Sequence, residues 1–230
     1  MPTLVISGKK FSYTIIPKLV GSLSLRIKSR RTFVVTSPRL IPSFVIHKFI
    51  SDHQSWILKN SQKFSKKIIL RKLSALTVLD ETYEILVSKT TRDSVVIFKN
   101  EHKIYVNSSS LLNSHLQKLF DTKFRPMALS LITSELRDLT KLYPFSYHHV
   151  SVKNTTSRFG SCSSTNNLNF NWQIIFFPKN IFRHILLHEL THTIHHDHSR
   201  EFWHQLSIFD PAWRLNRHYL KTKGSKHFLV

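Results

Sequence analysis

The sequence contains a single cysteine, Cys162, among its 230 residues. One thiol cannot form an internal disulfide, and it also excludes zinc sites that are built from several cysteines. A zinc site in this chain would have to use carboxylates or the 15 histidines. We interpret Cys162 itself as a small buried side chain rather than a reactive thiol.

Long apolar runs are also absent. No stretch approaches the roughly 20 apolar residues that a membrane-spanning helix needs, and no charged-then-apolar secretory signal opens the sequence. We therefore expect a reducing, cytoplasmic setting. A hydrophobic content of 41% is ordinary for a folded protein. The length allows one large core or two small domains.

Acidic residues are scarce, with 13 against 34 basic ones, and the net charge is +21. Residues 1–75 hold 15 Lys and Arg but only one acid, Asp52. This density predicts nonspecific attraction for nucleic acid through a basic N-terminal surface, and a merely solvated surface is the alternative. No nucleic-acid-binding motif accompanies the charge. The densest clusters are Arg26-Lys28-Arg30-Arg31 and Lys63-Lys66-Lys67-Arg71-Lys72.

The spacing of apolar residues predicts an α+β fold without internal repeats. We expect a β-rich N-terminal region with one helix over residues 1–108, and a second region over residues 109–230. Strands are predicted within 4–36 and 67–107, a hairpin or small antiparallel sheet within 150–177, and helices over 42–64, 109–142 with a break at Pro126, 178–194 and 199–208.

The most informative motif is His188-Glu189-Leu190-Thr191-His192. Positions i and i+4 of a helix share a face, so the two imidazoles can hold one zinc ion while the glutamate reaches a water on it. Pro178 suits a helix start. Apolar residues then recur at helical spacing, which places the motif on a buried amphipathic helix. The alternative is a helix that merely carries surface histidines.

A third ligand must come from another segment. Seven residues of helix span about 10.5 Å, which is too far for His188 and His195 to meet at one ion. The chain must therefore turn back after the motif, and Ser199 or Asp197 can cap a following helix. We expect His198 to be the third ligand, with Asp210 as the alternative.

A longer series of residues surrounds the motif. Ser157-Arg158-Phe159-Gly160-Ser161-Cys162-Ser163-Ser164 and Leu168-Asn169-Phe170-Asn171-Trp172 precede it, and His198-Ser199-Arg200-Glu201-Phe202-Trp203 follows it. The series resembles the YgjP-like metallopeptidases, relatives of the SprT-like and Wss1-like zinc proteases. Two positions differ from that pattern: Phe159 replaces the usual Trp, and Asn166-Asn167 replace a common glycine. Asn tolerates the left-handed conformation, so the hairpin should still form.

The resemblance implies a zincin-like catalytic half in which His188, His192 and His198 bind one zinc and Glu189 is the catalytic base. The expected activity is peptide-bond hydrolysis through a zinc-bound water, with a peptide or protein as substrate. Arg158 would stabilise an oxyanion or only pair structurally. Asp197 would orient a ligand or only cap a helix. The strand within 168–177 would bind substrate by edge addition.

A different class of protein also fits the charge. The chain could be a nucleic-acid-binding protein whose zinc site is structural or degenerate, or a protease recruited to nucleic acid. Glu189 argues against a purely structural site, because such a site needs no general base.

Overall fold

The structure is a computed structural model of the protein. Its first sheet begins with a hairpin, and both residues of the hairpin turn have the left-handed backbone conformation. Ser7 and Gly8 have φ angles of 47° and 72°, the combination of a two-residue turn that matches strand twist. The four strands lie in the order β1-β2-β4-β3, with β2 and β4 parallel in the centre. They are β1 (Thr3–Ile6), β2 (Lys9–Lys18), β3 (Ser24–Ser29) and β4 (Thr32–Pro38).

Two helices follow this sheet, α1 (Ser43–Asp52) and α2 (Gln54–Gln62). The prediction of one helix over 42–64 is therefore wrong at His53, which leaves helical geometry and bonds through Nδ1 to the Phe49 carbonyl. Residues 63 and 64 lie outside the described part of the chain. The buried faces of sheet and helices share one apolar core formed by Ile6, Phe11, Tyr13, Ile27, Phe33, Val35, Ile46, Ile50 and Ile57.

The structure describes residues 1–62, 70–155 and 158–224. The chain divides into two units, residues 1–66 and 67–230. The division that the sequence suggested near residue 108 falls inside the second unit. Apolar residues from both sides of that point, Ile104 and Val106 before it and Leu116 and Phe120 after it, belong to one core.

The second unit contains a sheet that repeats the topology of the first. Its strand order is β5-β6-β8-β7, with the same parallel and antiparallel pairings. Leu79 and Asp80 form its first turn at φ 46° and 75°, like Ser7 and Gly8. The repeat is one of strand topology and turn geometry and not of sequence, because the two sheets do not share the same residues. The strands are β5 (Ala75–Val78), β6 (Glu81–Lys89), β7 (Ser94–Phe98) and β8 (Lys103–Ser108).

The long helix α3 (Asn113–Leu142) runs without interruption through Pro126. The predicted break at this proline is therefore wrong. Proline removes the hydrogen bond to the carbonyl of Thr122, but both residues are exposed, so water can reach that carbonyl. The buried stripe of the helix is Leu116, Phe120, Phe124, Ala128, Ile132, Leu136 and Leu139.

A small three-stranded sheet precedes the motif helix. Its strands are β9 (His149–Lys153), β10 (Gly160–Cys162) and β11 (Asn167–Asn171), in the order β10-β11-β9. The prediction of an antiparallel sheet is wrong. The sheet is mixed, because β9 and β11 are parallel while β10 and β11 are antiparallel. Edge addition to β11 is also ruled out, since β11 is the central strand. Asn166 has φ 55°, which confirms that asparagine takes the left-handed conformation in the β10–β11 turn, as predicted.

The last described elements of the second unit are the helices α4 (Lys179–Thr191), α5 (Arg200–Phe209) and α6 (Trp213–Lys223). The fold is mixed α+β, as predicted, with sheets in the N-terminal part and several helices. Across the residues that the structure describes, no helix has the length and apolar character required to span a bilayer.

Candidate metal and catalytic site

Helix α4 places the motif between a buried face and a turn. Its buried residues include Ile181, Ile185 and Leu190, which pack into the core of the second unit. The helix ends at Thr191, and the next residues form a turn in which the N–H groups of Thr193 and Ile194 bond to carbonyls only three residues back, those of Leu190 and Thr191. The predicted turn is confirmed, and it returns the chain to the motif before α5 starts.

Three histidines meet at the end of α4. One nitrogen each from His188, His192 and His198 lies within 4.8 Å of the others. The Nε2 atoms of His188 and His198 are 3.1 Å apart. Two nitrogens bound to one tetrahedral zinc, each at about 2.0–2.1 Å, would be about 3.3 Å apart. The group therefore fits a single ion.

The protonation of the two helix histidines also fits a metal ion, because ligands must be neutral. Burial above all, and then the neighbouring imidazole of His192, lower the pKa of His188 to about 3. Burial likewise lowers the pKa of His192. Nδ1 of His192 donates to the carbonyl of His195, 3.0 Å away, so Nε2 keeps its lone pair for a metal.

His198 reaches the group because its backbone and ring are both held by α5. The indole N–H of Trp203 donates to the carbonyl of His198 at 3.1 Å, and the two rings stack at 5.3 Å. Ser199 caps α5 through its hydroxyl, which accepts from the N–H of Phe202. The structure thus brings together the three histidines predicted as ligands. His195 supplies a carbonyl instead of its ring, and Asp210 lies elsewhere.

Glu189 is buried at the contact between α4 and β10. A Cβ atom at Gly160 would lie 2.6 Å from Cγ of Glu189 and 2.7 Å from Oε1, so only glycine fits opposite this side chain. Burial raises the pKa of Glu189 to about 8, and the positive charge of Arg158 opposes that rise. A carboxyl group with these neighbours can exchange a proton near neutral pH.

The remaining residues that the sequence analysis considered are Cys162, Asp197 and Arg158. Burial, and to a smaller extent Glu189, raise the pKa of Cys162 to about 11, so this thiol stays protonated. Asp197 accepts from the N–H of Ser199, so it holds the residue that caps α5 and is not the cap itself. Arg158 is exposed and close enough to Glu189 to influence its charge.

A buried polar network next to the triad was not anticipated from the sequence. Nδ1 of His184 donates to Oδ2 of Asp210 at 2.6 Å, and the side-chain amide of Asn216 donates to the same carboxylate. Asn180 bonds in turn to Asn216. His184 lies one helical turn before His188 on α4. The four-residue spacing of His184, His188 and His192 was the sequence feature from which its place near the group could have been predicted. The network joins α4 to α6 through the residue that ends α5.

These features define a buried helix that carries two histidines of a metal-binding group and a glutamate beside it. The sequence model of the YgjP-like metallopeptidase domain matches residues 21–223, and the chain belongs to this family. Membership implies a hydrolase of the protease class with a metal ion, which His188, His192 and His198 could bind. A search of curated proteins found no match.

We predict that His198→Ala loses the bound metal, whereas His195→Ala retains it. The reason is that the ring of His198 faces His188, while His195 contributes only its backbone carbonyl. Elemental analysis of the purified variants measures this. Full metal retention by His198→Ala, together with loss in His195→Ala, would reassign the third ligand.

A second prediction concerns Asp210 and pH. Burial alone would raise the pKa of Asp210, but hydrogen bonds from His184 and Asn216 outweigh it and hold the pKa below the usual 3.8. The charged carboxylate therefore stabilises the fold above that pH, and this contribution is lost as the pH falls through the folded-state pKa.

Asp210→Asn should lower the free energy of unfolding by about 1.5–3 kcal/mol near neutral pH, the range for a hydrogen bond to a charged group. The difference from wild type should shrink as the pH falls below 3.8. Denaturant titrations of metal-free protein measure both. Asp138→Asn, in an exposed pair with Lys141, is the control and should change stability little. A difference that stays constant with pH would contradict the prediction.

Proposed function

We propose that the protein is a zinc-dependent peptidase in which His188, His192 and His198 bind one zinc and Glu189 is the general base. The observation that supports this most directly is the convergence of three imidazole nitrogens within 4.8 Å at the end of a helix that also carries Glu189. In this proposal residues 109–230 are the zincin-like half that the family resemblance implies. A cytoplasmic location stays a prediction.

The donor set favours zinc over other metals. Imidazole nitrogens suit zinc, and three protein ligands are the usual number in its catalytic sites. When bound, zinc polarises a substrate carbonyl and lowers the pKa of water to near 7.

Glu189 has the surroundings of a proton-transfer group. Its carboxyl is buried against the backbone of Gly160, which fixes its position and excludes water from that side. In the proposed reaction Glu189 takes the proton of the attacking water and later delivers it to the leaving amine. Arg158 favours the ionised carboxylate, so its charge supports the proton-accepting form.

Strand β10 is the place where we expect an extended peptide to bind. It is an edge strand of its sheet, with no second partner among the described strands. Asn171 donates to the carbonyl of Phe159, and Ser163 donates to that of Asn167. By the alternation of antiparallel pairing, the backbone groups of Gly160 and Cys162 face away from β11 and are available to a substrate strand.

A cavity of about 160 Å³ adjoins this strand. Its described lining includes Arg158, Gly160 and Ser161 together with residues of β9 and β11. A substrate side chain next to β10 can enter it, and Arg158 then contacts the substrate rather than serving only the fold.

We predict that Glu189→Gln keeps the metal but loses most hydrolysis, by on the order of 10²–10⁴ in rate, because glutamine cannot accept the proton. A peptide-library digest by zinc-loaded wild type and variant, with metal analysis of both, measures this. Glu201→Gln, an exposed change on α5, is the matched control and should keep wild-type activity. An unchanged rate in Glu189→Gln would falsify the assignment of the base.

The N-terminal unit supports a second candidate function, nonspecific binding of nucleic acid. Residues 1–62 contain ten Lys and Arg, all exposed, and Asp52 as their only acid. Within this range no salt bridge involves any of them. Such a surface fits phosphate groups, which provide most of the affinity in nonspecific binding. Lys63, Lys66 and Lys67 of the second predicted cluster lie outside the described residues.

Five of these side chains lie near one end of the first sheet. Because β2 and β4 are parallel, the turns that precede them meet at the same end, and the N–H of Ser12 bonds to the carbonyl of Arg31. Arg31 also donates to the carbonyl of Lys10. We call this group the basic sheet end; it consists of Lys9, Lys10, Lys28, Arg30 and Arg31.

Replacing Lys9, Lys10, Arg30 and Arg31 together by Gln should weaken oligonucleotide binding and flatten its salt dependence. Each lost phosphate contact should reduce the log–log slope by about 0.9 on duplex DNA. Fluorescence anisotropy at several salt concentrations measures this, and sequence should matter little. Replacement of Lys141, Lys221 and Lys223 in the other unit is the control. No binding by wild type at low salt would leave a peptidase with a solvated basic surface.

A further inference from the structure

Arg217 is an exposed residue of α6 that belongs to none of the sequence motifs described above. Its neighbour Asn216 is buried and donates from its side-chain amide to both oxygens of Asp210, at 3.2 and 3.1 Å. Asp210 also accepts from His184 of α4. The position of α6 is thereby fixed against the helix that carries His188, and Arg217 follows directly after the fixed residue.

The guanidinium of Arg217 lies against the aromatic ring that supports the metal-binding group. Its central carbon is 4.8 Å from the ring centroid of Trp203. The same ring stacks on His198 at 5.3 Å and lies 6.1 Å from His188. One indole therefore contacts both the cation and two of the three histidines.

The guanidinium of Arg217 also lacks an acidic partner. Among the described residues, no carboxylate lies within 4 Å of it. The cation that packs on Trp203 is therefore not neutralised by a carboxylate of the described protein.

We propose that Arg217 is the anion-binding residue of this site: its guanidinium binds the oxygen that becomes negatively charged when a peptide bond is hydrolysed, and the carboxylate of the product. The inference rests on the proposed peptidase function. A guanidinium presents several N–H donors in a planar fork that matches a carboxylate. Its stack on Trp203 restricts the side chain before the ligand arrives.

The same helix provides a matched control. Arg214 lies 4.8 Å from the ring centroid of Trp213, the same separation as Arg217 from Trp203. Both arginines are exposed residues of α6. Trp213, however, stacks on Trp203 and has no described ring contact with the three histidines. Arg214→Ala therefore removes the same charge and the same stacking contact, but from a ring that does not contact the three histidines in the described contacts.

The experiment measures binding rather than turnover. N-acetylphenylalanine, a product-like carboxylate, and its uncharged amide are titrated calorimetrically into zinc-loaded full-length protein. Wild type should prefer the carboxylate. Arg217→Ala should lose about tenfold to a hundredfold of that preference, as expected for a hydrogen bond to a charged group. Arg217→Lys should retain part of it, and Arg214→Ala should match wild type.

Zinc content and thermal unfolding, measured on each variant, separate loss of the contact from loss of the site. The inference is overturned if zinc-loaded wild type shows no preference for the carboxylate, if Arg217→Ala keeps it, or if Arg214→Ala loses as much. Hydrolysis is assayed separately. A wild type that shows the preference but cleaves no peptide contradicts the proposed function and leaves the assignment of Arg217 supported.

Discussion

The buried carboxylate of Asp210 is the interaction on which the geometry of the site depends. It lies at the end of α5, receives the imidazole of His184 from α4 and receives the amide of Asn216 from α6. Three helices are therefore aligned through one charged group with nearly all of its hydrogen-bonding capacity used. A carboxylate in this environment is costly unless it is fully paired. That cost makes the mutual arrangement of the helices specific.

The histidine group follows from this arrangement together with the turn after α4. His188 and His192 come from α4 and its C-terminal cap, so their separation is a property of that helix alone. The third comes from outside it, and its place depends on how α5 packs. Trp203 and Phe202 on α5 contact the imidazole of His198 directly. The packing of Trp203 and Phe202 therefore positions the third histidine, which the geometry of α4 alone cannot do.

Local patterns predicted local features of the structure well. The helix that carries His188 and His192 was predictable from apolar spacing and Pro178, and the turn toward His198 from simple helix length. The Asn166 turn was also predictable, because it depends on a single residue's tolerance of positive φ. The break at Pro126 was wrong because solvent exposure, which the sequence does not state, makes the lost hydrogen bond tolerable.

Features that depend on distant residues were not predictable. The parallel pairing of β9 with β11 depends on the path of the chain between them, and the Asp210 network links residues 26 positions apart. The repeated sheet was missed for another reason. Ser7-Gly8 and Leu79-Asp80 have similar backbone angles but little chemistry in common, so the repeat is visible in torsion angles and strand pairing rather than in residue identity.

The close contact between Gly160 and Glu189 couples two parts of the site mechanically. In the proposed function strand β10 offers its backbone to a substrate on one side, and its glycine packs against the carboxyl group of Glu189 with no room for even one methyl group between them. A displacement of the strand by a fraction of an ångström therefore moves the glutamate as well. In the proposed function the strand that pairs with the peptide is therefore also the strand that packs against the base, so a larger side chain at position 160 would disturb peptide pairing and the position of Glu189 together.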